Sequence, residues 1–247
     1  MNNDFTLDGK IAVVTGACKG NGKSIAAYLE TLGATVERTD IDASGGVRAM
    51  DVTDETSVRE GIAAIVKDRG RIDILVNNAG IINKSLVADI DLADWRRLIE
   101  VNLTGAVICT KHVVPCMKEK KWGRIVNISS VQAYLATDTY SAYAASKAGL
   151  SHLTHIWARE LAPWNITVNA LCPSYVDTPM MANTVKTWSE KMNCSREEAL
   201  DHLLEPIPGK RLLRPEELGY WVGVISTDMG SGLTGANIAV SCGWLLR

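Results

Sequence analysis

Tyr143 and Lys147 stand four residues apart in the run "SAYAASKAGL" (141–150), where most of the other side chains are small. Residues four apart share one face of an α-helix. A free phenol has a pKa of about 10, so roughly one molecule in a thousand is ionised at neutral pH. A cation within about 4 to 6 Å typically lowers an acid's pKa by about 1 to 3, which would make the phenol usable as a base. The competing reading is a surface helix that carries an aromatic and a cation at contact spacing. Ala144, Ala145 and Ser146 would let a ligand approach this helix closely, and Tyr140 has Ala144, not a lysine, four residues on.

A second stretch suits a phosphate group. "VVTGACKGNGKSIA" follows an apolar run and opens a helical one, with Gly16, Gly20 and Gly22 in a G-x-x-x-G-x-G pattern. Glycine allows a sharp turn and a close backbone approach, and a helix N-terminus supplies free N–H groups and positive potential. Such a loop between strand and helix fits a dinucleotide. Asp40 lies eighteen residues after Gly22, at the end of the next strand. A carboxylate there can accept hydrogen bonds from both adenosine ribose hydroxyls and would repel a 2′-phosphate, which favours NAD over NADP. Asp42 is a nearby substitute for it, and Lys19 is a counter-signal, because a cation could greet that phosphate. Asp51 in "MDVTD", with Val52 beside it, could meet the adenine; a turn or helix-cap role for Asp51 is the alternative.

These residues need a scaffold. Short β-branched runs such as "KIAVVTGA", "ATVERTD", "IDILVNNAG", "GRIVNISS", "ITVNALCPS" and "NIAVSC" alternate with helical stretches. That pattern predicts an α/β fold, a doubly wound parallel sheet of about seven strands with helices on both faces, in a single domain over 1–247. Between Pro179 and Pro215 the chain has helical character without a strand, too long for an ordinary connection. A helical lid over a site at about 180–214 is expected.

Composition excludes several classes. The 247 residues carry 26 basic and 28 acidic side chains with no long charged block, so no nucleic-acid surface is expected. No apolar run reaches the roughly eighteen residues needed to span a membrane. The opening "MNNDFTLDGK" has no apolar signal segment, which predicts a cytoplasmic protein. Six scattered cysteines (18, 109, 116, 172, 194 and 242) and four histidines show no ligand spacing, so no metal is expected.

Five motifs occur in order: "TGACKGNG", "NNAG" (77–80), "VNLTG" around Asn102, "NISS" ending at Ser130, and "YAASK" (143–147). On these the chain resembles the short-chain dehydrogenase/reductase family, from Gly9 to about Gly243, and so a Rossmann-type fold. The resemblance implies a catalytic tetrad in which Tyr143 is the acid/base and Lys147 stabilises the phenolate and holds the nicotinamide ribose. Ser130 would bind the substrate oxygen, and Asn102 would orient a water linking the lysine to solvent. By the same resemblance Asn77, Asn78, Ala79 and Gly80 line the adenine ribose, and Pro173, Val176 and Thr178 lie beside the nicotinamide.

Three departures stand out: Asn21 in place of a branched apolar residue, Ser174 in place of a glycine where it could narrow the space beside the nicotinamide, and "VSCGW" in place of "VDGGW". The resemblance implies NAD-dependent interconversion of a secondary alcohol and a ketone, commonly by a homotetramer, in which Trp157 and Trp164 would sit at an interface or in the core. The substrate pocket is expected from Ile82, Asn83 and Lys84, from Gln132 and Tyr134, and from the 180–210 segment. "VQAYLATDTYSAY" and "GWLLR" favour a sugar, polyol or sugar acid. The alternatives are a 3-oxoacyl thioester reductase, suggested by "MKEKKWGRIVNISSV", and a catalytically idle NAD-binding sensor.

Overall fold

A computed structural model describes residues 5–245. The first four residues of the opening "MNNDFTLDGK", and Leu246 and Arg247 of "GWLLR", lie outside the described residues.

One seven-stranded parallel sheet runs through the molecule in the order β3-β2-β1-β4-β5-β6-β7. The strands are β1 (Ile11–Thr15), β2 (Thr35–Asp40), β3 (Arg48–Ala49), β4 (Ile74–Asn77), β5 (Gly123–Ile128), β6 (Ile166–Pro173) and β7 (Asn237–Val240). Every residue of β1, β4, β5 and β6 is buried, as expected for strands covered on both sides. Successive residues of β1 feed opposite cores. Ala12 and Val14 pack with α1 (Gly20–Thr31) and α8 (Pro215–Ser226), through Ile25, Leu29, Leu218 and Val222. Ile11 and Val13 pack on the other face with α2 (Glu55–Arg69), α4 (Gly105–Lys120) and α5 (Ser141–Leu161). Helices therefore cover both faces, the doubly wound arrangement expected.

The winding reverses between β1 and β4, which pair directly although β2 and β3 separate them in sequence. Such a switch point opens a crevice at the carboxyl ends of the strands. The two-residue β3 at the far edge is absent from the sequence reading, since so short an edge strand leaves no periodic pattern. The continuous helical stretch "DLADWRRLIEVNLTGAVICTKHVVPCMKEK" (91–120) divides into α3 (Leu92–Ile99) and α4, joined by a π-helical turn, Glu100–Thr104.

The 180–214 segment contains α6 (Pro179–Met192) and α7 (Arg196–Leu204). Its two ends are tied together by main-chain bonds from Asp177 N to Leu213 O (2.8 Å) and from Leu213 N to Tyr175 O (2.8 Å). Among the described residues no helix is long and apolar enough to cross a membrane, and no cluster of His, Cys, Asp or Glu could hold a metal ion. Trp157 packs against the second core, whereas Trp164 is 39% exposed with Lys118 over its ring.

Candidate active site

The carboxyl ends of β4, β5 and β6 and the start of α1 line an open cleft, roofed by α6 through Met180, Met181 and Thr184. Three of the four expected catalytic side chains converge around it. Ser130, Tyr143 and Lys147 line it directly, and Asn102 lies just behind.

Lys147 is 4% exposed, and its Nζ donates to Ile128 O at 2.8 Å, 5.7 Å from the centre of the Tyr143 ring. Burial dominates both groups. It pulls the Lys147 ammonium down to about 8 and pushes the Tyr143 phenol above its ordinary value, with a contact to Ser130 opposing the latter shift. The expected lowering of Tyr143 by Lys147 does not show in the protein alone: burial raises the phenol, and the contact that opposes it comes from Ser130. The residue order explains the arrangement. A turn of α5 brings Lys147 under Tyr143, while Ser146 hydrogen-bonds Tyr143 O (2.7 Å) and receives a bond from Asn102 Nδ2 (3.2 Å).

Asn102 sits in the π-turn, 1% exposed, and its amide is fully used. Oδ1 accepts from Ile81 N (2.8 Å) and Nδ2 donates to Ile81 O (2.9 Å), so the side chain braces the segment after Gly80. A Cβ on Gly80 would lie 3.4 Å from Asn102 Oδ1 and 3.6 Å from Lys147 Nζ, which places Gly80 between them. Ser130 caps the short turn Val131–Ala133, accepting from Gln132 N at 3.1 Å.

The nucleotide end is equally compact. A Cβ on Gly16 would come within 2.8 Å of Ala79 Cα, and one on Gly22 within 2.3 Å of Gly16 O, so only glycine fits either position. Gly20 opens α1 at φ +55. Asn78 Nδ2 donates to Thr15 O (2.9 Å) and Gly16 O (3.1 Å), stitching the "NNAG" segment to the glycine turn. Thr15, absent from the sequence reading, is the other stitch: its hydroxyl accepts from both Asn78 N and Ala79 N at 3.0 Å. Its position as the first letter of "TGACKGNG" is the signal that could have found it.

Asp40 ends β2 with Oδ2 accepting from Cys18 N (3.1 Å) and Oδ1 from Asp42 N (3.3 Å), so its negative charge is held against the turn. Exposed Lys19 acts electrostatically on Asp42, whose carboxyl is pulled down chiefly by bonds from Ser44. A glycine turn, a helix N-terminus and an anchored carboxylate suit a dinucleotide. Asp51 takes the turn role, accepting from Thr53 N (2.9 Å) and Thr53 Oγ1 (2.7 Å), and the Val52 side chain is spent in the core, against Gly105. Thr178 caps α6 by accepting from Met181 N (3.3 Å), and Pro173, Val176 and Thr178 all line the cleft.

Several pocket expectations shift. Ile82 and Gln132 line the cleft, whereas Asn83 and Lys84 face a separate depression beside Asp89 and Asp91. The Lys84 ammonium packs 5.0 Å from the centre of the Tyr140 ring. Tyr134 is 52% exposed and does not line it. Tyr140 and Tyr175, unassigned by sequence, take those places, with Tyr175 packed against Trp244 at 4.9 Å between ring centres and the planes tilted by 59°. Tyr175 was legible only as part of "CPSYVDTPM".

A seven-stranded doubly wound sheet with a glycine turn at one end of its crevice and a Ser–Tyr–Lys set at the other defines a nucleotide-dependent oxidoreductase acting on CH–OH groups. The family model described as short chain dehydrogenase matches residues 10–189, and the chain belongs to the short-chain dehydrogenase/reductase family, which uses NAD(P) nucleotides. It is 36% identical over 255 residues to the 3-oxoacyl-acyl-carrier-protein reductase FabG of Thermotoga maritima, covering 97% of this chain and 99% of that protein. It is 32% identical over 257 residues to the D-beta-hydroxybutyrate dehydrogenase of Cupriavidus necator, covering 98% and 100%. Among solved structures, the ligand-free aldohexose dehydrogenase of Thermoplasma acidophilum superposes with a TM-score of 0.88 at 32% identity, covering 99% of this chain and 96% of the other.

Proposed function

We propose that the protein interconverts a secondary alcohol and its ketone with NAD, and that the substrate is a neutral polyhydroxylated molecule, a sugar or polyol. The observation that carries this reading is the charge pattern of the cleft: among its lining residues Lys147 is the one charged side chain, while Asn21, Gln132, Ser174 and Thr184 are neutral hydrogen-bonding groups. A sugar acid, admitted by the sequence, would find no second cation for its carboxylate there. Similarity to an aldohexose dehydrogenase supports the same class.

In this reading Ser130 Oγ and Tyr143 Oη hold the substrate oxygen. In the oxidising direction Tyr143 takes the hydroxyl proton, and in reduction it returns one; when bound, the nicotinamide accepts or donates the hydride. Lys147 gives the phenolate a cation at fixed distance, and Asn102 holds Gly80 and Ile81 against it. Met180, Met181 and Thr184 of α6 exclude water as a lid. Gly16, Gly20, Gly22 and Asn78 to Gly80 hold the dinucleotide. Asp40 accepts from its ribose and disfavours a 2′-phosphate, which makes NAD the partner. A cytoplasmic homotetramer belongs to the same reading, supported by exposed Val107, Ile156 and Trp221 on three helices.

A second reading is reduction of 3-oxoacyl thioesters, favoured by the 36% identity to FabG and by apolar Ile82, Met180 and Met181 in the cleft. Steady-state assays at 340 nm with NAD and NADP across sugars, sugar acids, polyols and 3-hydroxyacyl thioesters decide between them. NAD-dependent oxidation of a neutral polyol is expected. Activity confined to NADP and thioesters would install the second reading. Tight NAD binding without turnover of any alcohol would leave an idle sensor.

A further inference from the structure

Two nearly buried side chains in the cleft hold polar atoms for which the protein supplies no partner. Gln132 is 4% exposed and both its Nε2 and its Oε1 are unpaired; Ser174 is 8% exposed and its Oγ is unpaired. Buried polar groups are ordinarily satisfied, and leaving an amide unpaired at both ends is costly. Both residues are otherwise firmly seated. Gln132 N is held by Ser130 Oγ at 3.1 Å, and Ser174 N donates to Val240 O at 3.0 Å. They root in the ends of neighbouring strands, since β5 and β6 pair through Ile128 and Leu171. Main-chain bonding leaves their side chains as the free groups, and both line the cleft that holds Ser130 and Tyr143.

The chemistry of a fitting partner follows. Gln132 offers a donor and an acceptor, and a hydroxyl offers both in return. A carboxylate could use Nε2 but would face Oε1, and an ammonium would do the reverse. A hydroxyl satisfies either end of the amide and the Ser174 hydroxyl as well. The Tyr140 and Tyr175 rings present apolar surface in the same cleft, suited to the C–H face of a ring.

We propose that Gln132 and Ser174 form a neutral subsite for a second hydroxyl of the substrate, on the carbon next to the reacting carbinol or one further on. The proposal deepens the polyol reading above and rests on it for the position of the reacting carbon. It gives Ser174, expected from sequence only to narrow the space beside the nicotinamide, a recognition role.

The test compares cyclohexane-1,2-diol and cyclohexane-1,3-diol with cyclohexanol, using the intact enzyme and NAD. A site built around a hydroxyl rejects the analogue that lacks it. One diol should exceed cyclohexanol in kcat/KM by at least about tenfold, and Gln132→Leu should bring that ratio down toward one, with Ser174→Ala acting in the same direction. Because Gln132→Leu removes an unpaired amide, its melting temperature should not fall; a marked fall would mean that the amide has a structural partner and would overturn the proposal. A wild-type ratio near one, or a ratio unmoved in both variants, would also overturn it. Saturation-transfer NMR of the same alcohols on the enzyme–NADH complex separates the two readings. Diol-selective binding lost in Gln132→Leu, without turnover, would sustain the subsite and sink the polyol reaction; indifferent binding would sink the subsite.

Discussion

Lys147 Nζ donates a 2.8 Å hydrogen bond to the main-chain oxygen of Ile128, which pins the ammonium to the end of β5. A flexible side chain is thereby held at one place, beneath the Tyr143 ring. The cost is desolvation, which brings Lys147 down to about 8 from the ordinary 10.5.

That shift has a sign that stability measurements can read. Between about pH 8 and the unfolded value the folded protein has released a proton that the unfolded chain still holds, so stability rises with pH across the window. Below it both states are charged and the burial penalty is complete. Lys147→Met removes the penalty. The melting temperature of the wild type minus that of Lys147→Met should therefore increase from about pH 7 to about pH 9, a range below the ordinary phenol pKa of about 10, and thiols that titrate within it do so in both proteins and cancel in the difference. A difference that stays flat or falls would show that Lys147 is not desolvated as described.

Tyr143 lies over that lysine, its phenol raised by burial and so protonated at neutral pH. A protonated phenol is ready to act as the acid for carbonyl reduction. Tyr143→Phe keeps the ring and its edge contact with Tyr140 at 6.1 Å but removes the transferable proton. It should lower kcat by about 10²–10⁴-fold in both directions while NADH binding, followed by fluorescence energy transfer from tryptophan, stays within a few-fold. Activity surviving the change would remove Tyr143 from the chemistry.

The sequence made the sheet and the Tyr143–Lys147 pair legible because both are local. A run of apolar β-branched residues bounded by a glycine turn describes β1 without reference to its neighbours, and an i,i+4 pair on α5 needs only the helix. What was hidden depends on partners. Nothing around Arg48–Ala49 marks a strand until β2 pairs with it. Lys84 reads as a cleft residue by position, and only the folded chain shows that it lines a separate depression beside Asp89 and Asp91. The direction of the Tyr143 shift likewise turned on burial, which spacing does not report. Ser174 looked like added bulk, whereas its unpaired hydroxyl makes it a donor and acceptor.

Asp40 was legible by count, and the structure adds its anchoring by Cys18 N at 3.1 Å. A carboxylate fixed in place cannot swing away from a 2′-phosphate, so it should discriminate through both repulsion and lost ribose hydrogen bonds. Asp40→Ala is expected to lower kcat/KM with NAD and raise it with NADP, shifting their ratio by at least about tenfold. If the ratio does not move, Lys19 or the loop around Asp42 governs the choice.

Gly22 gives the most direct test of the turn itself. A Cβ there would lie 2.3 Å from Gly16 O and 2.5 Å from Asn78 Nδ2. Neither neighbour is free to retreat: Gly16 O is main chain, and Asn78 Nδ2 is already bonded to Thr15 O and Gly16 O. Gly22→Ala must therefore push the glycine turn away from "NNAG", at a cost of about 1–3 kcal/mol in denaturant unfolding. The displacement falls on the surface assigned to the pyrophosphate, so the dissociation constant for NAD should rise by more than the stability loss alone would produce. An alanine variant with wild-type stability and wild-type NAD affinity would mean that the turn and the "NNAG" segment are not packed as tightly as the 2.3 Å approach requires.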